Sequence, residues 1–235
     1  MEKRTRSLTV TQHHYIIRST GEEELSPSGL PHHYTEFDGA GHPVKEISYN
    51  RSGDFEEMFE YEYDGQGHLI RESYYPAEEE IAEEKTFERN GEGAIVKEVK
   101  NYRDGSVDTI TYEYDGSEQL VRRVTTNDEG GIDQVETFGW EEGKIVSHLI
   151  VDGEGTPVGE PDFSAISKTQ TRVEHDEQGR VVLEEETDDD GEAVMTISRS
   201  YHGDGRPDRV EVWFNGQGQA INRHYFLQYE YSFWE

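Results

Sequence analysis

From about residue 31 the chain alternates apolar and polar positions in short runs. Phe59, Tyr61 and Tyr63 are separated by Glu60 and Glu62; Ile110, Tyr112 and Tyr114 are separated by Thr111 and Glu113. A period of two places the apolar side chains on one face of a β-strand and the charged ones on the other. The chain ends in the same way, with Leu227, Tyr229, Tyr231 and Phe233 alternating with Gln228, Glu230 and Ser232, so the carboxy terminus reads as a closing strand. Leu8 to Arg18, rich in β-branched and aromatic residues and followed by Ser19-Thr20-Gly21, reads as a strand bounded by a turn.

The strands are punctuated at a regular interval. Turns that follow an aromatic strand fall at Asp38, Asp64, Asn90, Asp115, Glu141, Asp176 and Gly203, with spacings of 26, 26, 25, 26, 35 and 27. A second turn lies near the middle of each unit, so every unit of about 26 residues is a β-hairpin. Asp38-Gly39-Ala40-Gly41, Asp64-Gly65-Gln66-Gly67, Asn90-Gly91-Glu92-Gly93 and Asn215-Gly216-Gln217-Gly218 share one form, and Asp115-Gly116 keeps its first half. Asp or Asn can bond its own backbone two residues on, and glycine supplies positive φ. No helical segment follows these glycines, which excludes a phosphate-cradling reading. The long spacing marks an insertion over 153–170, whose Pro157 and Pro161 bar it from a central strand.

These features predict an all-β protein: an antiparallel hairpin array of about seven units, curled around an aromatic core. Residues 1–30 form an amino-terminal strand and lead-in loop, and 31–235 the repeat domain with its insertion. Curling is expected because about fourteen strands at ~4.8 Å would make a flat sheet wider than open twisted sheets sustain. An aliphatic pair and a charge follow many turns (Val44-Lys45, Ile70-Arg71, Val96-Lys97, Val121-Arg122), which predicts a ladder of Lys and Arg beside Glu-rich faces.

Charge then changes the picture. There are 22 basic and 52 acidic residues among 235, a formal net charge of −30. Direct binding of nucleic acid or an anionic membrane is disfavoured, and a basic protein partner is expected. The absence of cysteine excludes disulfides, thiolate metal sites and a cysteine nucleophile. The amino terminus lacks an apolar h-region, and no stretch reaches the length of a membrane span, from which a cytoplasmic location is expected.

The motif aromatic-x-Tyr-Asp-x-x-Gly-x-Leu, seen at Tyr61–Leu69 with Tyr63, Asp64, Gly67 and Leu69, resembles the YD-repeat, or Rhs-repeat, family of bacterial proteins. A second copy keeps Tyr114, Asp115 and Leu120, with Glu118 where the family has glycine; Asp38–Gly41, Asn90–Gly93 and Asp176–Gly179 are degenerate copies. The resemblance covers about 200 residues. It implies β-hairpins wound side by side into a curling sheet that in large members closes around a toxin. The expectation for this chain is a short, degenerate array without a toxin domain.

No catalytic site, metal site or cofactor is expected. His13-His14 and His32-His33 are adjacent pairs whose members point to opposite faces of a strand. The acidic run Asp188-Asp189-Asp190 reads as a hairpin turn, because it lacks calcium-loop spacing. Trp140, Trp213, Tyr225 and Trp234 lie in or beside strands whose alternate positions are already apolar, and with Asp188, Asp189 and Asp190 they are the candidate partner-binding residues. The expected function is a non-enzymatic acidic interaction module, like an immunity, adaptor or inhibitor protein, binding a basic or toxin-like partner. The alternatives are a structural segment that self-associates through edge strands or forms part of a larger shell, and a carbohydrate-binding module.

Overall fold

The computed structural model describes residues 4–17, 22–26, 28–158, 170–188, 190–214 and 223–235. Seventeen strands form an antiparallel meander with no helix among the described residues. The chain divides into two compact units, Met1–Glu56 with Ser164–Glu235, and Glu57–Phe163. The predicted Asn215–Gly218 turn and most of the insertion lie outside the described residues.

The second unit is a hairpin meander of β5 (Phe55–Tyr63), β6 (Leu69–Tyr75), β7 (Glu83–Arg89), β8 (Ile95–Tyr102), β9 (Val107–Tyr114), β10 (Leu120–Thr126), β11 (Ile132–Glu141) and β12 (Lys144–Asp152). Each strand pairs with the next. The first unit contains β1 (Thr5–Ile17), β2 (Glu23–Leu25), β3 (Leu30–Phe37) and β4 (Pro43–Tyr49), then β13 (Gln170–His175), β14 (Val181–Thr187), β15 (Ala193–Tyr201), β16 (Pro207–Phe214) and β17 (Arg223–Phe233). Strands β13 to β17 form a meander, and β1 lies between β17 and β3, from Thr5 opposite Phe233 to His14 opposite Tyr225.

The turns explain the period. At Asp38 the backbone N–H donates to the His42 carbonyl (2.9 Å) and the Gly41 N–H to the Asp38 carbonyl (3.1 Å). The Asp38 carboxylate accepts from the backbone N–H groups of Ala40, Gly41 and His42 at 2.7–2.9 Å. The same pair of backbone bonds recurs at Asp64, Asn90, Asp115, Asp176 and His202, and in mid-unit at Asn50, Tyr102, Asn127, Asp152 and Asp188. The fourth turn residue is left-handed, as at Gly67 (φ 86°), which is why glycine stands there. In the turn that begins at Asp115 it is Glu118, at φ 61°. The first glycines, Gly39, Gly65, Gly91 and Gly116, need no positive φ, and a Cβ on any of them would meet nothing.

The core is thin. Val10, Met58, Ile110, Val124, Val212 and Phe226 are the buried hydrophobic residues, and among the described residues no side chain is wholly enclosed. The aromatic residues of β5 and β9 share a face as their spacing predicts, but they are half-buried, so the most enclosed positions are chiefly aliphatic. The predicted ladder is formed within single hairpins: Glu62–Arg71, Glu88–Lys97 (2.8 Å) and Glu113–Arg122 (2.6 Å) are directly opposed pairs.

Candidate interaction site

At four of the end turns the residue just before the turn ties one hairpin to the one before it. Arg89 donates to the Leu69 carbonyl (3.3 Å), Tyr114 to Ile95 (2.8 Å), Trp140 to Leu120 (2.8 Å) and Tyr201 to Val181 (2.7 Å). Trp140, a candidate partner contact by sequence, therefore spends its indole N–H inside the sheet.

The other candidates are dispersed. Trp213 is opposite His224, and Tyr225 opposite Val212, so consecutive register positions put Trp213 and Tyr225 on opposite faces of the sheet. Trp234 is exposed and lies beside the Arg6 guanidinium (5.3 Å). Asp188 is a turn former whose carboxylate accepts from Asp190 N–H (3.0 Å) and Glu192 N–H (2.9 Å). Asp189 lies outside the described residues. Within the first unit, the described candidates Trp213 and Tyr225 therefore share no face.

Two polar clusters that the sequence did not single out are better defined. In the first unit the Glu211 carboxylate accepts from Tyr15 (3.2 Å) and Arg209 (3.0 Å) and is hydrogen-bonded to His224 (2.8 Å). The Tyr15 ring stacks on His224 at 4.0 Å, His13 stacks on Phe226 at 4.7 Å, and the Arg209 guanidinium lies 3.7 Å over Phe226. His14 packs instead near Tyr225, so His13 and His14 part to opposite faces. In the second unit Glu136, with a side chain only 5% exposed, accepts from Arg123 (2.8 Å from Nε) and Gln134 (2.8 Å) and is hydrogen-bonded to His148 (3.0 Å), whose ring stacks on Phe138 at 4.6 Å. Burial pushes the Glu136 carboxyl up, but its bonds to Arg123 and His148 outweigh this and hold it below the usual carboxylate range. One strand pair away, burial and then the hydrogen bond to Glu98 (2.6 Å) drive the Tyr112 hydroxyl well above the usual tyrosine range.

Both carboxylates gather several hydrogen-bond partners from neighbouring strands, an arrangement that holds those strands together. Among the described residues no group of three or more His, Cys, Asp or Glu side chains is placed to hold a metal ion.

The last strand of the second unit, β12, has a different character. Lys144 to Leu149 of β12 are six consecutive exposed residues, with Ile145 52%, Val146 55% and Leu149 52% exposed. The strand pairs with β11 on one side, where Gly139 opposes Ser147 and Trp140 opposes Ile145, leaving Val146 as a bulge. On its other side the Ile150 carbonyl accepts from Val158 N–H (2.9 Å).

No family model and no curated protein matches the chain. Solved structures with a similar strand arrangement include a porin-like protein from Bacteroides uniformis ATCC 8492, with a TM-score of 0.40 at 9% identity over 97% of this chain and 98% of that one. A TcdB2-TccC3 structure gives 0.28 at 11% identity over 85% of this chain, and the Tc holotoxin pore of Photorhabdus luminescens 0.30 at 10% over 87%. The chain spans 12% and 14% of those two proteins. These likenesses concern strand arrangement alone.

Charge along the sheet is uneven. From Glu57 to Glu88 the second unit has eleven acidic residues against two basic ones, Arg71 and Lys85. Both cations are engaged, Arg71 with Glu62 and Glu84 (3.6 Å) and Lys85 with Glu72 (2.6 Å) and Glu83 (3.2 Å).

Proposed function

We propose that the protein is a non-enzymatic, acidic interaction module of the YD-repeat type that binds a basic or toxin-like protein, as an immunity or adaptor protein does. The observation that carries this reading is where the cations go. Arg71, Lys85, Lys97, Arg122, Arg123 and Arg199 all pair with glutamates of adjacent strands within their own sheet. Acidic residues outnumber basic ones by thirty, so this pairing leaves an excess of carboxylates at the surface. Such a surface steers cationic partners in and repels anionic ones. The YD-repeat assignment is supported by Tyr63, Asp64, Gly67 and Leu69, where the motif's Asp and Gly are the turn former and the left-handed residue.

Affinity capture from nuclease-treated lysate of the source organism, washed over a salt series and read by mass spectrometry, tests the reading. A stoichiometric basic protein released as salt rises is the expected result. Recovery of the bait alone, at more than monomeric mass, would replace it with the self-assembling alternative.

A further inference from the structure

We infer that a hollow between the β6–β7 loop and the β8–β9 turn receives an arginine side chain of the basic partner. This rests on the acidic-module reading and gives it a location within the second unit.

The hollow comes from a step between two neighbouring connections. Strands β8 and β9 are joined by residues 102–106, in the short turn that recurs along the chain, whereas β6 and β7 are joined by the longer loop 75–82. That loop closes through Glu80 N–H to the Ala77 carbonyl (3.2 Å), with Glu79 left-handed at φ 63°. Its base is fixed on both sides, by Ala82 N–H to the Tyr74 carbonyl (2.9 Å) and by Arg103 N–H to the Ala82 carbonyl (3.0 Å). An ion pair between Arg103 and Glu80 ties it further to the shorter turn. The step leaves a shallow hollow of about 420 Å³ lined by Ala82, Tyr102, Arg103 and Asp104, all of them residues of the second unit.

Side chains and charge choose the occupant. Ala82 and the Tyr102 ring supply the apolar part of the lining, and the Tyr102 hydroxyl is tethered to Asp108 (2.9 Å). Ile81, 45% exposed next to Ala82, offers a further apolar contact beside the hollow. Around these stand four carboxylates, Glu78, Glu79, Glu80 and Asp104, against the single cation Arg103, whose charge Glu80 already meets. Hydrogen bonds from the Ser106 hydroxyl (2.6 Å) and N–H (3.0 Å) hold the Asp104 carboxyl below the usual range, so it is ionised at neutral pH. Both bonds fall on Oδ1, and a carboxylate has acceptor capacity for more than two donors. A guanidinium brings a flat face for the tyrosine and a fork for the carboxylate, a combination that lysine lacks. An acidic occupant would be repelled by the same four groups.

The test uses the full chain, labelled with nitrogen-15, and N-acetyl-arginine amide as the probe. N-acetyl-citrulline amide has nearly the same shape without the charge, and N-acetyl-lysine amide has the charge without the fork. The arginine probe should shift the amide resonances of Ala82, Arg103 and Asp104 saturably, at least fivefold more tightly than the citrulline probe and at least twofold more tightly than the lysine probe. Asp104→Asn, which keeps an acceptor for the turn and removes the charge, should weaken arginine binding at least threefold while the spectrum stays that of the folded chain. Asp128→Asn, which removes one charge from the exposed β10–β11 turn, should leave it unchanged. Equal binding of arginine and citrulline probes, shifts centred away from the hollow, or equal weakening by the two variants would overturn the proposal. A basic partner captured equally by wild type and by Ile81→Ser/Asp104→Asn would refute this location and leave the acidic-module reading standing; capture of no basic protein would remove that reading and the proposal with it.

Discussion

The indole N–H of Trp140 donates to the carbonyl of Leu120 at 2.8 Å, across the boundary between β11 and β10, where backbone pairing has already ended at Thr137 opposite Arg122. Tyr114, Tyr201 and Arg89 do the same for the hairpins they close. A donor side chain just before the turn thus extends these four sheet junctions beyond their ladders. Replacing Trp140 with Phe keeps the ring and removes the donor. The expected cost is about 1 kcal/mol, read as a lower urea midpoint with an unchanged slope; an unaltered midpoint would show that the bond contributes nothing.

Glu118 occupies the left-handed position that glycine fills in the equivalent turns. A side chain there is strained by about 1–2 kcal/mol, partly offset because glycine is more flexible in the unfolded chain. Glu118→Gly should therefore stabilise the protein by about 0.5–1 kcal/mol, whereas Gly67→Ala, at φ 86°, should destabilise it. Denaturation midpoints of the two variants should move in opposite directions, and a shift of the same sign in both would contradict the turn assignment.

Partial burial pushes the Asp38 carboxyl up, but hydrogen bonds from the His42 side chain and from the backbone N–H groups of His42, Gly41 and Ala40 prevail and hold it at about 2. A depressed folded value means that its stabilisation is complete above the unfolded value near 3.9 and is lost as pH falls toward 2. Asn50, Asn90 and Asn127 make similar turns without a titrating group. Asp38→Asn should accordingly flatten the fall in stability between pH 4 and 2 and lower stability at neutral pH, because the bonds to the ionised carboxylate, that from His42 included, are weakened or lost. Identical acid-unfolding curves would refute this.

Arg123, with a side chain 38% exposed, pairs with the nearly buried Glu136. Removing Arg123 leaves a buried carboxylate with only Gln134 and His148 as partners. Because Arg123 is itself partly exposed, Arg123→Met should cost about 2 kcal/mol, less than a fully buried pair would. The double variant Arg123→Met/Glu136→Met should recover part of that loss. A double-mutant cycle in urea checks the coupling, and strict additivity would rule it out.

The hairpin rhythm was readable from the sequence because a turn is local: Asp64 and Gly67 define their hydrogen bonds within five residues. The opposed pairs Glu88–Lys97 and Glu113–Arg122 were readable in outline, since they lie nine residues apart within one hairpin. Tyr15 with Glu211 and His224 was not, because about two hundred residues separate β1 from β16 and β17, and a period of two does not say which strands adjoin. Glu136 was hidden for a related reason. One glutamate in a chain with 52 acidic residues looks like any other until the register sets it between Arg123 and Ile150.

The insertion of β1 between β17 and β3 imposes an order on synthesis. Thr5 leaves the ribosome 228 residues ahead of its partner Phe233. The pairing β1–β3 can form early, but the other flank of β1 must stay open until β17 has emerged. The hairpins of the second unit, whose partners are neighbours in sequence, can form meanwhile with little loop-closure cost. Until β17 emerges the chain therefore holds a half-paired β1, a stage at which a chaperone has a strand to guard.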